Sequence, residues 1–148
     1  MTLRAPERRS TRRASVVAAL LVAVLLLVGC TQEQAAVRDH ANAARRAAGL
    51  HELSLDVNLN KKAQEWADHL AAIGRIEHSN VAEGVPPGWR KLGENVGRGP
   101  SIEAVHNAFM SSAPHRANIL DPAFAGIGTG VAVGADGTVY IVQVFGLY

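Results

Sequence analysis

The chain has 148 residues, of which 48% are hydrophobic and 19% are charged, and this suits one folded domain. Its formal net charge is +2, but beyond residue 29 ten Lys and Arg stand against twelve Asp and Glu, a net charge of −2. That balance excludes the basic footprint of a nucleic-acid-binding protein, so we expect no nucleic-acid partner.

The first 29 residues have the pattern of an export signal. Five arginines between residues 4 and 13 precede an apolar run over residues 16–28, the order that is typical of a signal peptide. The run is shorter than the ~20 apolar residues of a transmembrane helix. It ends at Cys30, after Leu-Val-Gly, and resembles the lipobox of bacterial lipoproteins. We therefore predict a signal peptide over residues 1–29 and a lipidated tether over residues 30–34.

Lipidation of Cys30 would make the membrane a partner of this protein, on the extracytoplasmic face of the cell membrane. One acyl chain binds a bilayer only marginally, whereas two or more anchor stably. The alternative for Cys30 is an ordinary thiol at the end of an uncleaved anchor, and a secreted form is a further alternative. Because the chain has one cysteine, the exported domain must depend on its apolar core instead of a disulfide.

Two helices are predicted in the first half of the domain. Alanines and Val37 at helical spacing predict the first helix over residues 35–48, ended by Gly49. A connection containing three leucines follows and is expected to fill the core. Asp56 is a good N-cap for the second helix, which Gly74 ends. The apolar positions of the connection are Leu50, Leu53 and Leu55.

The middle of the chain combines a strand with a third helix. Residues 92–96 are predicted to form a strand after a loop rich in glycine and proline, in which Trp89 either covers the cleft or only covers the core edge. Ser101 is predicted to be the N-cap of a third helix. This helix must stop near Ala113, since Pro114 disfavours helical geometry in the residue before it. His115 then follows this helix end.

The C-terminal region is predicted to be a hairpin. Apolar residues alternate from Ile127 to Val133, Asp136-Gly137 supplies a tight turn, and residues 139–145 return as an almost continuous apolar strand. A strand that is apolar on both faces needs cover on both faces. The fold class is therefore α+β, with a sheet between helical layers.

Three short motifs occur in an order typical of one family. They are His78-Ser79-Asn80, Gly93-Glu94-Asn95 and the SAPHRANIL segment over residues 112–120. Together they resemble the CAP superfamily, also called the SCP domain family, in its bacterial secreted form. The resemblance covers nearly all of the chain after Cys30, with the domain expected over residues 35–148. It implies a three-layer α-β-α sandwich.

His78, Glu94 and His115 form the candidate site. Their spacing alone indicates no metal motif on one helix face, and it leaves each histidine as a turn or cap residue. The resemblance implies more, because in this family two histidines and two glutamates line a central cleft that can bind divalent cations. These three residues match motif positions, whereas Ser112 stands where the second glutamate is usual. We therefore expect a weakly held cation, Zn²⁺ or Mg²⁺, or none.

Other chemistry is less well supported by the sequence. Ser111 or Ser112 near His115, with Glu94 as orienter, would make a nucleophile, base and acid, yet no nucleophile elbow is present. Asn95 either lines the cleft or braces a turn. We expect a domain that binds a cation, a lipid or an envelope peptide in the cleft without turnover. A metal-assisted or serine-type hydrolase and a scaffold with a vestigial cleft are the alternatives.

Overall fold

The computed structural model describes residues 32–148. The predicted signal peptide, Cys30 and the first residue of the tether after it lie outside the described residues. Among residues 32–148, none of the helices combines the length and the apolar character needed to span a bilayer.

The described chain forms four helices and one four-stranded sheet. In chain order the helices are α1 (residues 32–47), α2 (Val57–Ile73), α3 (Ile102–Ser111) and α4 (Ala113–Ile119). The strands are β1 (Ser54–Leu55), β2 (Lys91–Gly99), β3 (Gly126–Val133) and β4 (Val139–Leu147). The sheet order is β1-β3-β4-β2, with β1 parallel to β3 and the other pairs antiparallel.

Both faces of the sheet are covered by helices, which confirms the α+β, three-layer α-β-α sandwich. One apolar cluster joins α2 to residues of β2 and β4 that include Val96, Val142 and Val144. A second cluster joins α1, α3 and α4 to the alternate residues of β4, such as Ile141 and Phe145. The two clusters use opposite faces of the same strand because successive side chains of a strand point to opposite sides.

The predicted capping residues are confirmed. Asp56 Oδ1 accepts hydrogen bonds from the amides of Asn58 (2.9 Å) and Leu59 (3.0 Å) at the start of α2. Gly74 ends that helix with a φ of 69°, in the left-handed region that glycine adopts without strain. Ser101 Oγ accepts from the Ala104 amide at 3.2 Å. These local signals define where α2 and α3 begin.

Helix α2 lies unusually close to β3. A Cβ added to Gly128 would come within 2.0 Å of backbone atoms of α2, and one added to Gly130 within 2.1 Å. Side chains at these positions would therefore collide with the helix backbone. The two glycines allow the helix to pack directly on the strand.

Helix α1 differs from its predicted alanine face. Val37 and Ala41 are buried as expected, but the next residue on the same stripe, Arg45, is fully buried. Its guanidinium donates to the carbonyl oxygens of His51 (2.8 Å), Ile119 (2.9 Å) and Asp121 (2.8 Å). Burial lowers the pKa of Arg45, and the charge of Asp121 partly opposes that shift. Arg45 thus ties α1 to the end of α4.

Two predictions about local structure were wrong in part. Leu55 was expected in the core but is 51% exposed, because the leucine connection pairs with β3 as the edge strand β1, whereas Leu53 is buried. Helix α3 ends at Ser111, two residues earlier than expected. Pro114 then lies in the first turn of the new helix α4, where its missing N–H leaves no bond unmade. His115 therefore belongs to a helix start.

Candidate functional site

Glu94 and His78 form a hydrogen-bonded pair at the edge strand β2. His78 Nδ1 lies 2.7 Å from Glu94 Oε1, and Ser79 binds both carboxylate oxygens, through its amide (3.0 Å) and its hydroxyl (2.5 Å). The Glu94 side chain is 4% exposed, whereas that of His78 is 64% exposed. Because a carboxylate accepts, Nδ1 carries the hydrogen and Nε2 of the neutral ring is the remaining acceptor.

Ser112 and His115 form a second pair at the start of α4. Ser112 Oγ lies 3.0 Å from His115 Nδ1. Ser112 occupies the N-cap position of α4, yet its side chain makes no capping bond. The hydroxyl that would normally cap a helix is instead engaged by the imidazole. The ring of His115 also packs against that of Phe109, with centroids 5.0 Å apart.

The pKa of His115 is lowered from its ordinary value of 6.5, first by burial and then by the charge of His78. The imidazole is therefore neutral at pH 7, and a neutral ring can accept a hydrogen bond or bind a metal ion. The site thus contains two imidazoles, each held through Nδ1.

Asn95 is fully buried and joins β2 to α4. Its amide donates to the His115 carbonyl (3.0 Å) and to Gln143 Oε1 (3.1 Å), and its own oxygen accepts from Asn118 at 2.9 Å. Asn118 donates in addition to the Glu94 carbonyl at 3.2 Å. These contacts fit the bracing role of Asn95, and they fix the position of α4 and its histidine on the strand.

The two pairs approach β2 from different sides. Glu94 shares its sheet face with Leu92 and Val96, which pack toward α2. Asn95 points to the opposite face, where Gly93 and Gly97 lie against side chains of the α1, α3 and α4 cluster. Adjacent residues of a strand must point in opposite directions. The site therefore straddles the edge of the sheet.

The arrangement of these side chains limits how the site could bind a metal ion. Within residues 32–148, no group of three or more His, Cys, Asp and Glu side chains is arranged to hold a metal ion. Glu94 has both oxygens engaged by His78 and Ser79. An imidazole nitrogen suits a borderline-soft cation such as Zn²⁺, but the described residues do not form a set of three such ligands.

The roles of two residues of the site are not predicted from the sequence. Ser79 was part of a motif but had no assigned role, and its two bonds to Glu94 depend on a loop conformation that no local pattern predicts. Gln143 was placed only as part of an apolar strand. As the lone amide in that strand it was a detectable signal, because a buried polar side chain needs a partner.

Comparison with known proteins gives matches in sequence and in structure. A family model described as the cysteine-rich secretory protein family (CAP) matches residues 38–145. The uncharacterized protein YkwD of Bacillus subtilis (strain 168) is 31% identical over 114 residues, which cover 71% of this chain and 44% of that protein. The chain therefore spans less than half of the length of this relative.

Solved structures with the same fold include bacterial surface and extracellular proteins. An outer surface protein from Borrelia burgdorferi has a TM-score of 0.69 at 21% identity, covering 74% of this chain and 88% of that one. An extracellular protein containing a SCP domain from Bacillus anthracis str. Ames has a TM-score of 0.68 at 20% identity, covering 80% and 41%. Because the family model spans most of the sequence and these structures share its fold, the chain belongs to the CAP family of extracellular proteins, as its three motifs predicted.

Proposed function

We propose that this protein is a lipid-anchored, extracytoplasmic CAP domain that binds a ligand at His78 and His115 without catalytic turnover. The proposal rests on one observation: each of the two imidazoles is held in place through its Nδ1 atom. Nδ1 of His78 is held by Glu94 and Nδ1 of His115 by Ser112, so Nε2 of each ring is the nitrogen left for a ligand. Fixed rings lose little freedom when a ligand binds.

A divalent cation is the ligand that this chemistry favours first. Neutral imidazole suits Zn²⁺, whereas Mg²⁺ prefers oxygen ligands. Glu94 would act on the ion through His78, since a carboxylate on the second ring nitrogen orients a metal-binding histidine and raises its basicity. With two imidazoles in place of the three protein ligands of an open zinc site, binding is expected to be weak. We therefore expect Zn²⁺ to bind more tightly than Mg²⁺.

Calorimetric titration tests this proposal directly. The protein is titrated with Zn²⁺ and with Mg²⁺, beside the His78→Ala/His115→Ala variant and the control His69→Ala, an exposed histidine that lies against Trp66. Zinc binding should disappear in the double variant and persist in the control. Zinc binding that is equal in all three proteins would contradict a site at His78 and His115.

A lipid or an envelope peptide is the alternative ligand at the same residues, as the family resemblance implies. Its binding would also depend on His78 and His115 but would not need a cation. Absence of zinc binding together with loss of envelope-lipid or peptide binding in the double variant would support this form of the proposal. A scaffold with a vestigial cleft would be indifferent to both substitutions.

A hydrolase is the second candidate because Ser112 Oγ lies 3.0 Å from His115 Nδ1. A serine beside a neutral imidazole is the pair from which serine-type hydrolysis starts. The third member is not beside it, since Glu94 binds His78 in place of His115. Hydrolysis of an ester substrate that disappears in Ser112→Ala, with Ser111→Ala as the control, would favour the enzyme over the binding domain.

A further inference from the structure

The crevice between α1, α3 and β4 contains a polar atom that none of its neighbours satisfies. His106, on α3, is partly buried as a residue, but its Nδ1 atom is fully buried and has no hydrogen-bond partner among residues 32–148. The crevice is too narrow to admit a water molecule. A buried polar atom without a partner is uncommon in a folded protein and needs an explanation. The crevice is lined by Val37, Ile102, His106, Phe109, Ile141 and Gln143.

His40 on α1 stacks on the same imidazole. The two ring centroids are 5.0 Å apart and the ring planes differ by 25°. Burial, and after it the charge of His40, lower the pKa of His106 from 6.5. The other side chains that line the crevice, from α1, α3 and β4, are apolar or amide groups. Asp39 and Glu103, the carboxylates close to these histidines in the chain, are exposed, and neither opposes the shift.

The crevice accommodates a neutral His106 better than a charged one. In the neutral ring the hydrogen can lie on Nε2, so that Nδ1 is an acceptor without a donor. In the protonated ring Nδ1 also carries a hydrogen, and the buried charge meets neither a carboxylate nor water. A protonated His40 ring beside it would add the repulsion of like charges. Separation of α3 from α1 would relieve both costs, because water would then reach the two rings.

Helix α3 is held less firmly than α1. The buried residues of α3 are Val105 and Phe109, whereas α1 is fixed at both ends. Near its start the Gln34 carbonyl accepts from the Thr129 hydroxyl at 2.9 Å, and near its end Arg45 donates to three carbonyl groups. A separation of the two helices is therefore expected to move α3.

We infer that His40 and His106 form an acid-sensitive contact, which holds α3 against α1 at neutral pH and releases it in acid. Protonation of histidines at an interface is a common basis of pH sensing. The buried His106 has a pKa below 6.5, whereas the released ring regains the ordinary value. The closed arrangement is therefore fully favoured above pH 6.5, and this preference is lost as the pH falls through the pKa of the buried ring.

Release of α3 would also change the candidate site. Phe109 lines the crevice, and its ring packs against that of His115 with centroids 5.0 Å apart. The same ring lies against Gly97 of β2, where an added Cβ would come within 2.7 Å of it. When α3 moves away, Phe109 leaves His115, so ligand binding there would weaken in acid. This consequence rests on the proposed function, whereas the acid-sensitive contact itself does not.

Hydrogen exchange of the full chain measures the release of α3 without any ligand. Amide protection, corrected for the intrinsic exchange rate at each pH, is compared between α3 and the central strand β4 at pH 7.5 and pH 5. Between these pH values the protection of α3 should fall severalfold more than that of β4, and His106→Gln should abolish this difference.

His69→Gln is the matched control for this experiment. His69 also stacks on an aromatic ring, that of Trp66, with centroids 4.6 Å apart. Unlike His106, it is exposed, and its Nε2 lies 3.5 Å from a carboxylate oxygen of Glu77. The acid response of α3 in His69→Gln should therefore equal that of the wild type.

Two outcomes would overturn the inference. In the first, α3 of the wild type loses no more protection than β4. In the second, the preferential loss in α3 persists in His106→Gln, which would assign the acid response to another group, such as His115. If His106→Gln does not fold, His40→Gln replaces it: removal of the like charge should reduce the acid response of α3, and an unchanged response would contradict the contact. Because no ligand is present, failure of the proposed function would leave these outcomes unchanged.

Discussion

At the scale of single residues, the carboxylate of Glu94, a candidate metal ligand, is already hydrogen-bonded within the protein. Three hydrogen bonds from His78 and Ser79 occupy its two oxygens, and its side chain is almost completely buried. A carboxylate in this position orients an imidazole more readily than it binds an exchangeable cation. Beside His115, where the family resemblance implies an acidic ligand, this chain has Ser112.

Ser112→Glu tests whether that ligand can be restored. Ser112 Oγ lies 3.0 Å from His115 Nδ1, so a carboxylate there would lie close to the His115 imidazole and would add a charged ligand. Zinc affinity should rise by about tenfold or more, which corresponds to about 1.4 kcal/mol. Calorimetry gives the affinity, and Ser111→Glu is the control because Ser111 is exposed and bonded to the Asn107 carbonyl. An equal effect of both substitutions would show that position 112 does not face the ion.

His106 provides a prediction about acid stability. Its Nδ1 is buried without a hydrogen-bond partner in the described chain, and its pKa is lowered from 6.5 by burial and then by His40, whose ring stacks on it. The unfolded state therefore binds the proton more readily. Stability contributed by neutral His106 is complete above pH 6.5 and is lost as the pH falls through the folded-state pKa.

His106→Gln should consequently lose less stability than the wild type between pH 7.5 and pH 5. Urea unfolding at both pH values gives the two free energies of unfolding for each protein. The comparison uses the pH-dependent difference, so a general loss of packing in the variant does not affect it. An identical pH dependence in the two proteins would contradict the assignment to His106.

At the scale of elements, the contact between α2 and β3 determines how close two layers of the sandwich can be. Gly128→Ala would place a methyl group 2.0 Å from the backbone of α2, and backbone atoms cannot move aside as a side chain can. Overpacking of a core usually costs about 1–3 kcal/mol, and we expect the upper end or more here. Gly126→Ala is the control, because its added Cβ would meet its nearest atom at an ordinary 3.5 Å. Urea unfolding should separate the two variants clearly.

Arg45 connects α1 with the end of α4, the helix that carries His115. Arg45→Met removes hydrogen bonds to three carbonyl groups and leaves the buried ones without a donor, so we expect a loss of about 3 kcal/mol or more. Arg46→Met is the control. Its salt bridge to Glu52 is about half exposed on both sides, and such pairs contribute about 0–1 kcal/mol. Chemical denaturation of the two variants measures the difference, and similar losses would contradict the bridging role of Arg45.

At the scale of the whole molecule, the proposed location depends on Cys30. Cys30→Ser should move the protein from the membrane fraction to the soluble extracytoplasmic fraction, because a lipidated cysteine cannot form. Fractionation followed by immunoblotting measures the distribution. Membrane association that is unchanged in the variant would favour a retained apolar segment over a lipid anchor.

The sequence alone determined the family, the fold class and the helix limits that depend on local chemistry. Three motifs in order identified the CAP family, and the cap residues Asp56, Gly74 and Ser101 are confirmed because each satisfies backbone groups of its own helix end. The alternation in β3 and the apolar run of β4 predicted a sheet that is covered on both faces. These features depend on short-range periodicity, which is visible in sequence.

Only the tertiary structure decided how the site residues meet. Two of these contacts join segments that are adjacent only after folding: His78 pairs with Glu94, and the buried Arg45 binds the end of α4. The third, between Ser112 and His115, depends on where α4 begins. Glu94 and Asn95 point to opposite faces of the sheet, and both can belong to one site because β2 is the edge strand. Contacts of this kind depend on packing between layers, and local sequence patterns do not encode them.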